Sequence, residues 1–356
     1  MAETLNLSKT VDEVLSGLSE REGDIIRRRY GLVEPAESLQ DIADDYNLTR
    51  ERIRQIQARS LNSISAAIQK NPVVNQLNRT AAKQLGPLAL RREASLLQKL
   101  KEYYQFNQEN NLRAARFFLR QARQFQIYPE DDNFHAYFSQ TEKNLNLARH
   151  ILKRLLFKFL EEPTQVWSEP KIYNFVLAEI KKHLNVNPPE SEIFGFIRII
   201  KVLGKNPYGQ FGLSNHILIS PPSLKEKIRL IFEMEGQPLH FKTIHHKLNQ
   251  FLDFKDDFLS DHWRKDYSVE SIHNQMILDP EVVLAGRGIY ALKRWGYYNG
   301  ETIELLKELV SRARRIEKEK LWCEVQKAKM ISRTTFEIYI RRRDLFKLNG
   351  NEVERV

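Results

Sequence analysis

The 356-residue chain carries 56 Lys and Arg against 46 Asp and Glu, a formal charge of +10 with pI ≈ 9.4, and one cysteine, Cys323. That length predicts two or three domains with real hydrophobic cores, and a single cysteine excludes an intrachain disulfide and a multi-cysteine zinc site. No apolar run resembles a signal peptide or a membrane span: the best candidate, residues 151–160, is broken by Lys153, Arg154 and Lys158. The expectation is a soluble, cytoplasmic protein with no membrane partner.

The basic balance leans towards nucleic acid or another acidic partner, but it is unevenly spread. Net charge is −1 over residues 1–80, +5 over 81–164, +2 over 165–220, 0 over 221–300 and +4 over 301–356.

Residues 1–10 read as a short leader and 11–68 as a helical unit. Within it, Leu39, Ile42 and Ala43 fall at i, i+3 and i+4 of a short helix. Asn47 follows, a residue that tolerates the left-handed backbone of a tight turn. Thr49 stands where an N-cap belongs. The next helix places Ile53, Ile56 and Leu61 on one face and Arg50, Glu51, Arg52, Arg54 and Gln55 largely on the other. This is the spacing of a helix-turn-helix, whose second helix meets base edges with its N-terminal residues. The alternative is an amphipathic hairpin with a solvated charged face. Charge is segregated: Asp41, Asp44 and Asp45 lie on the first helix, and four arginines face one glutamate across 49–59.

The runs LSEREGDIIRRRYGL (18–32) and SLQDIADDYNLTRERIRQIQARSLNSI (38–64) resemble region 4 of the sigma-70 family, over residues 11–68. The resemblance implies a segment that reads the −35 promoter element and touches the flap of RNA polymerase. Carried onto matching positions, it places Arg50, Glu51 and Gln55 at base edges, and Thr49, Arg52 and Arg54 near the DNA backbone. No pattern like region 2, which sigma factors use to bind the polymerase clamp and melt the −10 element, is found.

Asn71–Pro72 and Gly86–Pro87 punctuate a connection. Residues 88–162 read as a helical bundle with helices at about 88–109, 111–127 and 134–161. Its aromatics, Tyr103, Tyr104, Phe106, Phe117, Phe118, Phe125, Tyr137, Phe138, Phe157 and Phe159, interleave with Arg113, Arg116, Arg120 and Arg123. Stacking on single-stranded nucleic acid would use such a set, but helical spacing favours core aromatics and solvated arginines. Residues 165–220 read as helices near 170–185 and 190–203 followed by a Gly/Pro-rich stretch, a degenerate winged helix or linker.

Residues 221–298 predict three helices and a β-hairpin turning at Gly286–Gly288, the plan of a winged helix, with a polar, aromatic insertion at 253–266. The order PLHFKTI, SVESIHNQM, GRGIYALKRWGY resembles the HARE-HTH family, found in the polymerase delta subunit and in restriction and chromatin-associated proteins. Residues 301–356 repeat the plan: Ser268, Ser271, Ile272, Met276, Val282 and Gly286 match Ser332, Thr335, Phe336, Ile340, Phe346 and Gly350 at one constant offset. This predicts a second winged helix with a wing at Asn349–Gly350–Asn351. Arg341, Arg342 and Arg343 end its third helix as candidate backbone contacts, and Arg287 is the candidate in the first wing.

Phosphate-loop, nucleophile-elbow and HExxH patterns do not occur in the sequence. His240, His245 and His246 have poor spacing for a metal, and Asp253, Asp256, Asp257 and Asp261 read as a solvated acidic loop. The sequence therefore predicts a mainly α, multi-domain protein that is not an enzyme. It has no catalytic residue, metal, cofactor or small-molecule substrate. Its expected partner is double-stranded DNA, with RNA polymerase implied by the resemblance. The reading is a DNA-binding transcription factor. The alternatives are a protein-interaction scaffold docking on RNA polymerase without reading sequence, and a DNA reader in defence or chromosome organisation.

Overall fold

Side-chain capping sets the helix boundaries of the first seventy residues. Asn6, Ser19, Ser38 and Thr49 each accept a hydrogen bond from a backbone N–H two or three residues into the helix that follows, and Ser19 and Ser38 close full capping boxes with Glu22 and Asp41. The helices so started are α1 (Leu7–Leu15), α2 (Glu20–Tyr30), α3 (Leu39–Asp45) and α4 (Arg50–Lys70). These boundaries come from a computed structural model, which describes residues 5–184, 186–254 and 258–356. The chain is mainly α and forms two compact units: residues 1–162 with 169–203, and 163–168 with 204–356.

After α4, one order of elements recurs four times: helix, strand, helix, helix, strand, strand. The first set is α5 (Pro72–Gln84), β1 (Leu90–Arg92), α6 (Glu93–Tyr104), α7 (Glu109–Gln121), β2 (Gln126–Tyr128) and β3 (Tyr137–Ser139). The second is α8 (Glu142–Glu161), β4 (Trp167–Ser168), α9 (Glu169–His183), α10 (Glu190–Ile197), β5 (Leu203–Lys205) and β6 (Gln210–Leu213). The third is α11 (Leu224–Glu235), β7 (Leu239–His240), α12 (Phe241–Leu252), α13 (Val269–Leu278), β8 (Val282–Gly286) and β9 (Ile289–Leu292). The fourth is α14 (Thr302–Ala313), β10 (Arg315–Glu317), α15 (Lys318–Ala328), α16 (Arg333–Ile340), β11 (Phe346–Asn349) and β12 (Glu352–Arg355). Each set builds a three-stranded sheet in the same order, with its third strand in the middle. Three helices and such a sheet are the parts of a winged helix.

Residues 88–162 therefore differ from an all-helical bundle. Asp131 Oδ1 accepts from the N–H groups of Asn133 and Phe134 at 2.8 and 2.7 Å, holding a loop where a helix from 134 was expected. Tyr137, Phe138 and Ser139 then pair with β1 on one side and β2 on the other. The helix starts only at its Thr141 cap. In 165–220, sequence reasoning gives Tyr208, Phe211 and Ile217–Ile219 a short hairpin or an extended linker; the strands formed are β5 and β6, with Phe211 in β6, while Tyr208 and Ile217–Ile219 lie outside any strand.

In the first unit, the helix-turn-helix has its own small core of Ile25, Ile42, Ala43 and Ile53, flanked by Leu39, Tyr46, Leu48 and Ile56. A second, larger core joins that segment to the first repeat. Leu7, Val11, Val14 and Leu15 of α1 and Ile64 and Ile68 of α4 pack with Ala114, Ala115, Phe117, Phe118 and Leu119 of α7. Tyr30 and Phe117 meet edge to face at 5.1 Å, and Asn111 Oδ1 accepts from the Ser8 N–H at 3.1 Å.

In the second unit, the third and fourth repeats meet backbone to backbone. The Met330 N–H donates to the Ala285 carbonyl at 2.6 Å, and buried Lys329 donates to the Leu284 carbonyl at 2.5 Å. A Cβ on Gly286 would lie 2.4 Å from the Met330 carbonyl oxygen, so the approach requires glycine. The constant offset between these repeats is visible in the caps: Ser268 and Ser332 accept from Ser271 and Thr335 N–H, each at 3.1 Å. At the wings the offset fails. The residue with positive φ is Gly288 in one and Gly350 in the other, because a register shift between Leu284 and Gly286 lengthens the first wing.

Within the insertion, Trp263 is buried and its indole N–H donates to the Ile219 carbonyl at 2.8 Å. Asp253 and Asp261 are exposed, while Asp256 and Asp257 lie outside the described residues. His240 is a helix cap that accepts from the Lys242 N–H, and no cluster of potential metal ligands occurs among the described residues. No helix among them is long and apolar enough to cross a membrane.

Candidate nucleic-acid interface

The turn between α3 and α4 follows from its residues. Tyr46 ends α3 near φ −89°, ψ 0°, Asn47 takes φ +53°, and the Leu48 N–H closes the turn on the Ala43 carbonyl at 2.9 Å. Thr49 Oγ1 then accepts from the Arg52 N–H at 3.2 Å, starting α4. α3 is braced from behind. Arg28 forks onto Glu37 at 2.8 and 2.5 Å and also holds Asp45, and the Tyr46 hydroxyl donates to Asp24 at 2.7 Å. Of the three aspartates on α3, Asp41 caps, Asp44 accepts from Gln40 and Asp45 takes Arg28.

With Ile53 buried, α4 turns Arg50, Glu51, Arg52, Arg54 and Gln55 to solvent. The structure brings the last four into one network. Arg54 donates twice to Glu51, at 2.7 Å each. Gln55 donates to Glu51 at 3.3 Å and accepts from Arg52 at 3.2 Å. The Arg54 guanidinium holds the Glu51 carboxyl below the usual carboxylate range and is itself raised by it. Arg50 stands at the first helical position, where the backbone N–H groups of α4 add positive potential. Arg59, four residues beyond Gln55, is also exposed and continues the Arg52–Gln55 face. Helical periodicity alone would have found it.

The other candidates belong to the second unit. Arg287 is exposed in the turn between β8 and β9. Arg341 caps the C-terminal end of α16, and with Arg343 it lines a cleft against Phe346 and Lys347. Arg342 is forked onto Asp344 at 3.3 and 2.7 Å.

The third helix of each repeat, the recognition position of a winged helix, is poorly equipped for DNA. α7 is packed against α1 and α4. α10 carries Glu190 and Glu192 and no cation, and α13 carries Glu270 and no Lys or Arg. Arg333, the one cation in α16, contacts Glu319 and Glu337 and lies 5.2 Å over the Trp322 ring.

Comparison with known proteins agrees with the helix-turn-helix. Residues 14–66 match the family described as "Sigma-70, region 4". An RNA polymerase sigma factor SigA of Nostoc is 44% identical over 59 residues, 16% of this chain and 15% of its own length. SigA1 of Synechococcus elongatus is 46% identical over 59 residues, again 16% and 15%. SigA of Lactococcus lactis is 34% identical over 68 residues, 19% of each chain. The chain thus spans less than a fifth of the length of these relatives. Residues 14–66 are thus similar to the sigma-70 region 4 helix-turn-helix, a likeness that supports a DNA-binding role in transcription in coarse terms.

Proposed function

We propose that the chain is a DNA-binding transcription factor that reads a −35-like promoter element through α4, with RNA polymerase as its protein partner. The observation that carries this reading is the N-terminal face of α4, exposed on a helix that is seated on α2 and α3 through Ile53 packed with Ile25, Ile42 and Ala43. Arg50, Glu51 and Gln55 meet base edges, while Thr49, Arg52 and Arg54 contact the backbone and fix register. The mechanism is binding, without chemistry on a substrate. Residues 221–298 act as a HARE-HTH-like winged helix and 301–356 as a second one. Arg287, Arg341, Arg342 and Arg343 give them backbone contacts.

A scaffold that docks on polymerase without reading sequence is the second reading. The four cation-poor or buried third helices favour it for the repeats, though not for α4. A DNA reader in defence or chromosome organisation differs from the first reading only in its target. Selection by the whole chain from a random duplex pool separates the three. A −35-like motif supports promoter reading, an unrelated motif supports the third, and salt-insensitive recovery without a motif supports the scaffold.

A further inference from the structure

We propose that the outer face of α8, with the last turn of α9, is a second binding surface for the phosphate backbone of double-stranded DNA. The inference rests on the chain being a DNA-binding protein and adds a contact far along the sequence from α4.

Residues 143–160 contain five cations, Lys143, Arg149, Lys153, Arg154 and Lys158, and no carboxylate. α8 buries Ala148, Ile151, Leu152, Leu155, Leu156 and Phe159, a single apolar stripe. That burial turns Arg149, His150, Lys153, Arg154, Phe157 and Lys158 to solvent. From Arg149 to Lys158 the helix rises about 13.5 Å, with cations recurring roughly every turn.

α9 packs alongside and extends the field. The His150 and His183 rings lie 6.2 Å apart, and Lys181 and Lys182 are exposed beside them. Glu179 is the carboxylate of this contact. It is buried, contacted by Arg154, and accepts from Lys182 at 2.6 Å, so its charge is spent inside the surface rather than displayed on it. Glu161, at the C-terminal end of α8, takes Lys158 at 3.1 Å. Arg149 lies 5.7 Å over the Tyr128 ring. Phe157 is 58% exposed among these cations and offers an apolar surface to deoxyribose between the phosphates.

A solvated charged face normally mixes signs, because interspersed charges avoid self-repulsion. From Arg149 to Lys158, short of the exposed Glu161 at its end, this one displays a single sign over about two and a half turns, which is the electrostatic footprint of a polyanion partner. The region-4 segment gives the polyanion its identity as duplex DNA. Backbone contacts of this kind carry affinity and register, with no sequence preference.

The test measures binding of the full chain to a labelled duplex of random sequence between 50 and 200 mM salt. The triple variant Lys153→Gln, Lys158→Gln, Lys181→Gln changes only exposed side chains. Losing three phosphate contacts lowers the salt slope by about 2.7, so wild type should lose about 40-fold more affinity than the variant across this range. The control triple Lys9→Gln, Lys70→Gln, Lys83→Gln removes the same charge from the same unit and should leave the slope near wild type. Equal slopes for both triples, or no change in the first, overturn the proposal. Poly-glutamate binding that depends on the same three lysines would also overturn it, in favour of an acidic polypeptide. Arg50→Ala run in parallel separates the two claims. If it relaxes a selected motif while the triple changes nothing, promoter reading stands and this surface falls. If the triple acts and Arg50→Ala does not, the reverse holds.

Discussion

Replacing Gln55 with alanine is the sharpest probe of the base reading proposed for α4. The side chain is exposed, and its two hydrogen bonds, to Glu51 at 3.3 Å and from Arg52 at 3.2 Å, lie on the surface of one helix. Removing them leaves the buried Ile53 and the core beneath it untouched, so the thermal melt should not move. Binding should move. A side chain that both donates to and accepts from one base contributes about 1–3 kcal/mol of discrimination, a factor of roughly 5 to 150 in Kd at 1.4 kcal/mol per decade. The loss should concentrate at one or two base pairs of the selected motif. Competition binding with the motif and each single-base variant reads this directly. Arg54→Ala is the contrast: every duplex should weaken alike, and the salt slope should fall by about 0.9. A motif and affinity unchanged by both Gln55→Ala and Arg50→Ala would refute the assignment of base reading to this face.

With the chain as sole initiation factor, core polymerase and a promoter should yield no unstacked thymines in permanganate footprinting. Reactive thymines would show a melting activity that the sequence does not predict. Removing Arg341 and Arg343 together as glutamines should lower the salt slope of the full chain by about 1.8, against about 0.9 for Arg287→Gln. Equal changes would reject a larger share of backbone contact for the last repeat. Gly286→Val must displace the Met330 carbonyl from β8, and should cost the second unit about 1–3 kcal/mol in urea unfolding. An unchanged midpoint would mean that the two repeats do not depend on that contact. Asp279 is buried, which pushes its carboxyl up, but the Arg229 fork and the Glu281 N–H outweigh burial and hold it below the usual range. A carboxyl lowered on folding stabilises above its unfolded value and loses that contribution as pH falls through the folded one. Asp279→Asn should therefore cost about 1.5–3 kcal/mol at pH 7, and the gap to wild type should narrow below about pH 4. A gap independent of pH would remove the ion pair as its cause.

Local chemistry was legible wherever one residue decides one backbone state. Asn47 at φ +53° and the Thr49 cap follow from side chains acting within three residues, and the offset that pairs Ser268 with Ser332 proves to pair two caps. The sheet of the first repeat, and β4 of the second, were not legible. β1, β2 and β3 have three residues each and β4 has two, too few for alternation to register against flanking helices. The ties within the α4 face were implicit in the i, i+3 and i, i+4 spacing of Glu51, Arg54 and Gln55. Spacing alone did not show that a carboxylate assigned to base edges would hold an arginine assigned to phosphates. Nor does an amphipathic pattern name its partner: Phe117 and Phe118 looked like core, but nothing local says that the core belongs partly to α1.

The packing of α7 against α1 and α4 has a mechanical consequence. α4 runs for 21 residues, about 32 Å, and its far half, through Ser60, Ile64 and Ile68, is sunk in the core shared with the first repeat. The tip proposed to meet base pairs and the root held by Phe117 and Phe118 belong to one uninterrupted helix, with no glycine or proline between Arg50 and Lys70 to act as a hinge. A reader on a flexible tether can rotate to suit its site and transmits nothing. A reader at the end of a strut transmits its orientation, so on the proposed reading a base-pair register chosen at Arg50 also chooses the direction in which the first repeat projects from the DNA.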